Sequence, residues 1–346
     1  MSTIYDVAKF AGVSKSTVSL VLNNSSLVKK DTADKVLAAI KALNYVPNNN
    51  AQALSSKKNY CIGIIIMADS AAPSSYDFDT HVGLCSYNIT TGIMDALMDT
   101  KYGSLIERYC SVANPGELPY LIRNKRVDGA LIIGSPFDSS MIEKIKAMKF
   151  PLCLVGVSSY ANGVDSVRAN PAEGVVMGLK YLVEKGHRKI LFINSPTIYI
   201  SSYVREKALY RAANEIGISI NPEWVVNCSD NVGSSAYETM KKSWEEGARP
   251  DAILCANGHL ALGAMRYLYE IGVRVPDDIS VFGYEDSSMS GYSIPALTTI
   301  NIHKEEMGRV AARCLLERIE NPEKKACEIV IPADIVVRDS VIDRNV

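Results

Sequence analysis

The pattern of apolar and polar positions changes character near residue 60. Before it, apolar residues recur at helical spacing: Ile4, Val7, Ala8 and Ala11 on one short stretch, Val18, Val21 and Leu22 on a second, and Val36, Leu37, Ile40 and Leu43 on a third. Beyond it, β-rich apolar runs at 62–66, 129–133, 152–156, 189–193, 252–255 and 279–283 alternate with helix-length segments. The first pattern predicts a three-helix unit, because two helices this short cannot bury enough surface alone. The second predicts parallel sheets with helices on both faces.

The helical unit carries clear punctuation. Thr3 followed by Asp6 is a capping-box start, side-chain oxygen to backbone N–H. Gly12 ends the first helix, since glycine enters the left-handed conformation without steric cost, and Ser14 can cap the second. Two short helices joined by a tight turn over residues 3–23 form a helix-turn-helix, whose second helix lies in the DNA major groove; an ordinary helical hairpin is the bland alternative. The phase of that helix leaves Lys15, Ser16, Ser19 and Leu20 toward solvent or a partner. Lys29 and Lys30 precede the third helix, where lysine is a poor cap and a good phosphate contact. Pro47 then stops that helix, and PNNNAQALSSKKNY (47–60) reads as a polar linker.

Charge sharpens this division. Residues 1–60 hold eight Lys and three Asp with no Arg or Glu, a balance of +5; the whole chain carries −1, so the remainder carries −6. A basic module on a mildly acidic body suits phosphate-backbone binding. The eight cysteines, at 61, 85, 110, 153, 228, 255, 314 and 327, show no CxxC spacing and read as buried, reduced thiols. No signal peptide precedes the first helix and no apolar run reaches ~18 residues, so a cytoplasmic protein with no membrane partner is expected.

The stretch YDVAKFAGVSKSTVSLVLN resembles the start of the lactose-repressor (LacI/GalR) family of bacterial transcription regulators. The likeness continues in family order through LNYVPNNNAQAL (43–54), DGALIIG (128–134), GHRKI (186–190), CANGHLALGAM (255–265), VPDDISVFGYED (275–286) and PALTTI (295–300). It implies an all-α helix-turn-helix DNA-binding domain at 1–46, a hinge at 47–60, and a two-lobed, periplasmic-binding-protein-like α/β domain at 61–346 with Rossmann-like parallel sheets. Lobe 1 is expected at about 61–158 and 287–322, and lobe 2 at about 159–286 and 323–346.

The resemblance also implies roles. Thr3, Tyr5, Lys15, Ser16, Thr17, Ser19, Leu20, Asn23, Lys29 and Lys30 are expected at DNA, together with Asn48, Ala51 and Leu54 of the hinge. Leu54 matches a residue wedged into the minor groove, where an apolar side chain unstacks a base step. Gln52 stands where the family commonly has Arg, so one contact is lost or reduced to a neutral hydrogen bond. The implied partner is a pseudo-palindromic double-stranded operator bound by a homodimer. Only six residues follow VVRDS (336–340), too few for a coiled-coil tail, so the dimer is expected as the end state.

Between the lobes the resemblance implies a small-molecule effector, met by Arg205, Asn257, His259 and Glu285, with Ser201 and an aromatic of the 68–87 loop, Tyr87 ahead of Tyr76 or Phe78. Glu285 departs from the family's aspartate by one methylene. One arginine and one carboxylate leave this group without net charge, which points to a neutral carbohydrate; a phosphosugar or purine-like corepressor is the alternative, favoured if Lys207 or Arg168 turns inward. A free solute receptor would need an export signal. An enzyme is not expected: GxGxxG and GxxxxGK[ST] loops are missing, and His81, His187, His259 and His303 show no metal-ligand or triad-like spacing. Thus no catalytic residue, metal ligand or cofactor is predicted, and His187 reads as structural.

Overall fold

The computed structural model describes residues 2–22, 27–45, 58–68, 81–111, 113–134, 139–157 and 163–345, with backbone alone for 81–84. The chain divides into two compact units, 1–60 and 61–346. Asn23, Asn48, Ala51, Gln52, Leu54, Tyr76 and Phe78 lie outside the described residues.

The first unit is three helices, α1 (Ile4–Ala11), α2 (Lys15–Leu22) and α3 (Lys30–Ala42). Thr3 caps α1 as the sequence predicts: its hydroxyl accepts from the Asp6 N–H at 3.4 Å while the Asp6 carboxylate accepts from the Thr3 N–H at 2.8 Å. Gly12 terminates α1 at φ +67°. The Ser14 hydroxyl accepts from the Thr17 N–H at 3.1 Å and starts α2. Val7, Ala8, Val18, Val21, Val36 and Ala39 form the buried centre. Leu37 does not join them; it is 53% exposed. It follows Val36 by one residue, about 100° around the helix, so only one of the two can face inward.

The second unit alternates strand and helix. A six-stranded parallel sheet has the order β11-β5-β4-β3-β1-β2, with β1 (Cys61–Met67), β2 (Gly103–Tyr109), β3 (Gly129–Ile133), β4 (Leu152–Val155), β5 (Asp165–Ala169) and β11 (Glu328–Ile331). Its neighbouring helices are α4 (His81–Leu97), the short α5 (Tyr120–Arg123), α6 (Ser139–Ala147) and α12 (Lys304–Glu320). A four-stranded parallel sheet runs β7-β6-β8-β9, from β6 (Ile190–Asn194), β7 (Val225–Asn227), β8 (Ala252–Cys255) and β9 (Ser280–Phe282). With it stand α7 (Pro171–Glu184), α8 (Ile200–Ile216), α9 (Gly233–Glu245) and α10 (Gly258–Glu270). After the short α11 (Ser288–Tyr292), β10 (Thr299–Asn301) and β12 (Asp334–Val336) pair antiparallel. Strands β3, β4, β6, β8 and β9 are buried along their whole length, which explains why they are apolar but for Asn194 at the end of β6 and Ser280 at the start of β9.

The lobe boundaries expected from sequence need correction. Both β5 and β11 belong to the first sheet, paired Ser166 to Glu328 through Ala169 to Ile331, although they fall within 159–286 and 323–346. The half-polar strands DSVRA and EIVI give no strong apolar signal, and pairing across some 160 residues leaves no trace in local pattern. In the same unit α4 and α12 pack closely enough that a Cβ added at Gly92 would stand 1.9 Å from the Glu305 carbonyl oxygen.

Candidate functional site

Parallel sheets gather their functional groups at the carboxyl ends of the strands. At the end of β6 the buried Asn194 donates from Nδ2 to the Ser202 carbonyl at 3.0 Å, and the Ser202 hydroxyl donates to the Pro196 carbonyl at 2.7 Å. These bonds fix the first turn of α8, which carries Arg205, only 6% exposed. After β9, Tyr284 and Glu285 continue toward the same place. Arg205 Nη2 lies 3.5 Å from Glu285 Oε1, and its guanidinium stacks over the Tyr284 ring at 4.9 Å. Arg205 Nε is buried with no hydrogen-bond partner among the described residues. Burial pushes the Tyr284 hydroxyl up to about 12.

Glu285 is held unusually. Its backbone is left-handed at φ +64°, a conformation that costs a non-glycine residue of order 1 kcal/mol and marks functional positions. The flanking groups impose it. Lys304, buried at the start of α12, donates from Nζ to the Glu285 carbonyl at 3.1 Å and to the Asp286 carbonyl. The Asp286 carboxylate receives the Arg338 fork at 2.8 and 3.0 Å. Cys85 of α4 lines the same small space as Glu285, and burial followed by the Glu285 charge pushes its thiol up to about 12.

A small cavity beside these groups is lined by Cys85, Asn88, His259, Glu285, Ser287 and Lys304, among others. It therefore draws on α4 and α12 from one sheet and α10 from the other. A larger cavity of about 400 Å³ lies at the amino end of β6, between Arg188, Trp224 and Arg249. Its arginines are engaged, Arg188 with the Val183 and His187 carbonyls and Arg249 stacked on Trp244, and among the described residues no buried polar side-chain atom without a partner lines it.

Several predicted residues meet here, and several do not. Arg205, Glu285 and His259 converge, and Ser201 sits half-buried in the first turn of α8. Asn257 is fully buried but works as the N-cap of α10: Oδ1 accepts from the Leu260 N–H at 2.8 Å and Nδ2 donates to Asn231 Oδ1 at 3.1 Å. Tyr87 is 60% exposed, and its α4 neighbours Cys85 and Asn88 line the cavity instead. Arg168 pairs with Glu328 at 2.8 Å, and Lys207 lies over the Tyr203 ring at 5.3 Å. Sequence reasoning missed Cys85, Asn88, Tyr284, Ser287 and Lys304; the GYED motif could have flagged Tyr284, which adjoins the matched Glu285. His187 is buried with Nε2 at 3.1 Å from the Ile342 carbonyl, a structural role.

In the first unit, Tyr5, Lys15, Ser16 and Leu20 are exposed, with Lys15 Nζ 3.5 Å from the Tyr5 hydroxyl and 5.0 Å from its ring centre. Thr17 and Ser19 are half-buried, and the Thr17 hydroxyl shares a 2.9 Å bond with Ser14. The Thr3 hydroxyl donates to Asp6 at 2.8 Å. Lys29 stands at the α3 N-cap without a side-chain bond, and both it and Lys30 are exposed.

Comparison with known proteins agrees with both halves of the chain. Residues 3–48 match the family described as bacterial regulatory proteins, lacI family, and residues 179–341 match the periplasmic binding protein-like domain. The HTH-type transcriptional repressor PurR of Vibrio vulnificus is 32% identical over 99% of each chain. The chain belongs to the lacI family. Another relative in it, the repressor PurR of Photobacterium profundum, is 30% identical over the full length of both chains. Among solved structures, the lac repressor dimer bound to operator and an anti-inducer superposes with a TM-score of 0.80 at 28% identity, covering 99% of each chain. A complex of the transcriptional regulator CelR with cellobiose gives 0.72 at 25% identity, over 98% of this chain and all of that one. The chain is a lacI-family transcriptional repressor, a helix-turn-helix followed by a two-lobed domain of parallel sheets. No helix among the described residues is long and apolar enough to cross a membrane.

Proposed function

We propose that this repressor binds a pseudo-palindromic operator as a homodimer and that a purine-like compound, bound beside Arg205 and Glu285, sets its operator affinity. The observation that carries the effector reading is a buried guanidinium whose Nε lacks a partner, facing a carboxylate across 3.5 Å. Such a pair offers a fork of donors next to an acceptor. An oxopurine presents the complement: adjacent ring-nitrogen and carbonyl acceptors, which arginine reads bidentately, and a ring N–H for the carboxylate.

The neutral carbohydrate expected from charge balance has less support. The relatives named PurR favour the purine-like alternative, and Asn257, which a polyhydroxy ligand would use, is engaged in capping. A phosphosugar would bring about −2 toward Glu285, while Arg168 and Lys207 are held by Glu328 and Tyr203.

On the DNA side, Lys15, Ser16 and Leu20 are the groups we place at base edges, with Tyr5 supporting Lys15 and with Lys29 and Lys30 on phosphates. The lac repressor neighbour, a dimer on its operator, supports the two-fold arrangement. The test begins with genomic fragments retained by the purified protein, sequenced and then used in gel shifts with purine bases, phosphosugars and neutral sugars. A change in operator affinity with purine bases alone is the expected result. A response confined to neutral sugars would overturn the effector assignment, and failure to retain a palindromic fragment would overturn the operator reading.

A further inference from the structure

Three side chains far apart in sequence meet under α12. Cys153 and Asp165 are register partners on β4 and β5, and Ser166 and Glu328 are register partners on β5 and β11. Cys327, one residue before Glu328, therefore continues the row Cys153–Asp165–Cys327 across three adjacent strands. Register neighbours point to one face, at spacings near 4.8 Å. Helix α12 lays Cys314 over that row. The Cys314 and Cys327 sulfurs are 3.8 Å apart, and the Cys327 sulfur is 3.4 Å from Asp165 Oδ1. The ligand atoms of Asp165, Cys314 and Cys327 all lie within 4.8 Å of one another, while the Cys153 thiol donates to the Leu154 carbonyl at 3.7 Å.

We propose that Asp165, Cys314 and Cys327 form a binding site for one thiophilic divalent cation, zinc being the ion tested first, with a fourth position open to water. The separations are those of a tetrahedral centre. With Zn–S about 2.3 Å and Zn–O about 2.0 Å, tetrahedral edges are about 3.8 Å between sulfurs and about 3.5 Å between sulfur and oxygen. The charges also close. Zinc with two thiolates and a carboxylate carries −1, and Arg318 and Lys324, less the Glu317 that pairs with Lys324, supply a net +1. Arg318 grips Asp165 at 2.9 and 3.0 Å, and Lys324 Nζ lies 4.0 Å from the Cys314 sulfur while also pairing with Glu317 at 2.7 Å. Arg318 thus orients the carboxylate from outside, the role a second layer of partners plays at metal centres. Asp165 and Cys314 are buried and Cys327 is half-exposed, which gives the ion a path in. Each thiol gives up a proton as the metal binds, so uptake is accompanied by proton release.

The test uses the full chain, reduced and stripped with a chelator, then loaded with zinc or cobalt and desalted. About one metal per chain is expected, with intense thiolate-to-cobalt absorption in the cobalt form. In Cys327→Ser, whose partly exposed position makes misfolding least damaging, zinc affinity should fall by more than the roughly 10–100-fold that loss of an outer partner costs. Circular dichroism of the metal-free variant checks its fold. As a measurement independent of any variant, zinc should slow alkylation of Cys314 and Cys327 in the unaltered chain, mapped by mass spectrometry. Metal content no higher than in a Cys314→Ser/Cys327→Ser double variant, or a cobalt spectrum without thiolate bands, overturns the site. So does a chain that takes up no metal but forms a Cys314–Cys327 disulfide with hydrogen peroxide.

Discussion

Arg205 Nη2 reaches Glu285 Oε1 across 3.5 Å, the outer limit of a hydrogen bond, although both side chains are at least nine-tenths buried. A buried pair with such long geometry recovers little of its desolvation, so a ligand that completes it gains affinity from groups already positioned.

Arg205→Ala and Glu285→Gln should each abolish the rise in melting temperature produced by the effector, since each leaves buried ligand atoms unpaired. Operator affinity without effector should change far less. A stabilising shift of wild-type size in either variant would remove that residue from the ligand site.

Lys15→Ala should weaken binding to the cognate operator by about 1–3 kcal/mol and relax preference at one base pair. Competition gel shifts with single-base operator variants measure this. An equal loss on random DNA would make Lys15 a phosphate contact only.

Acid stability should report the Arg318–Asp165 pair in chelator-treated protein. Burial alone would raise the Asp165 carboxyl, but the Arg318 fork and the Cys327 N–H outweigh it and hold the group below its ordinary 3.8. A folded value below the unfolded one means stability that is fully present above the unfolded value and is lost as pH falls through the folded one. In Arg318→Gln the buried carboxylate loses its cation, at a cost of roughly 3–5 kcal/mol near neutral pH. The gap between the two proteins in urea titrations should narrow as the medium is made acidic. A gap independent of pH would show that the pair contributes nothing through charge.

Gly92→Ala should destabilise the 61–346 unit by about 1–3 kcal/mol or more, because the new methyl meets backbone, the Glu305 carbonyl, rather than a movable side chain. Denaturant unfolding followed in that unit checks it. A change within ~0.5 kcal/mol would mean that α4 and α12 separate freely.

What the sequence determined by itself lies at short range. The Thr3–Asp6 box, the Gly12 stop and the Ser14 cap involve neighbours a few residues apart, and each could be read because the chemistry of a helix end is local. The buried strands were equally legible, since a strand covered on both faces must be mostly apolar. Arg205 and Glu285 stood out only because they sit in motifs with a family likeness. Leu37 went astray where two adjacent apolar residues competed for one face, and β5 and β11 where half-polar strands join a sheet across some 160 residues. The tertiary structure alone decided that Asn257 caps a helix, that Cys85 and Lys304 gather beside Glu285, and that Asp165, Cys314 and Cys327 share one place. Strand register and helix packing bring such residues together, and both are set by burial of the whole core, which no local spacing encodes.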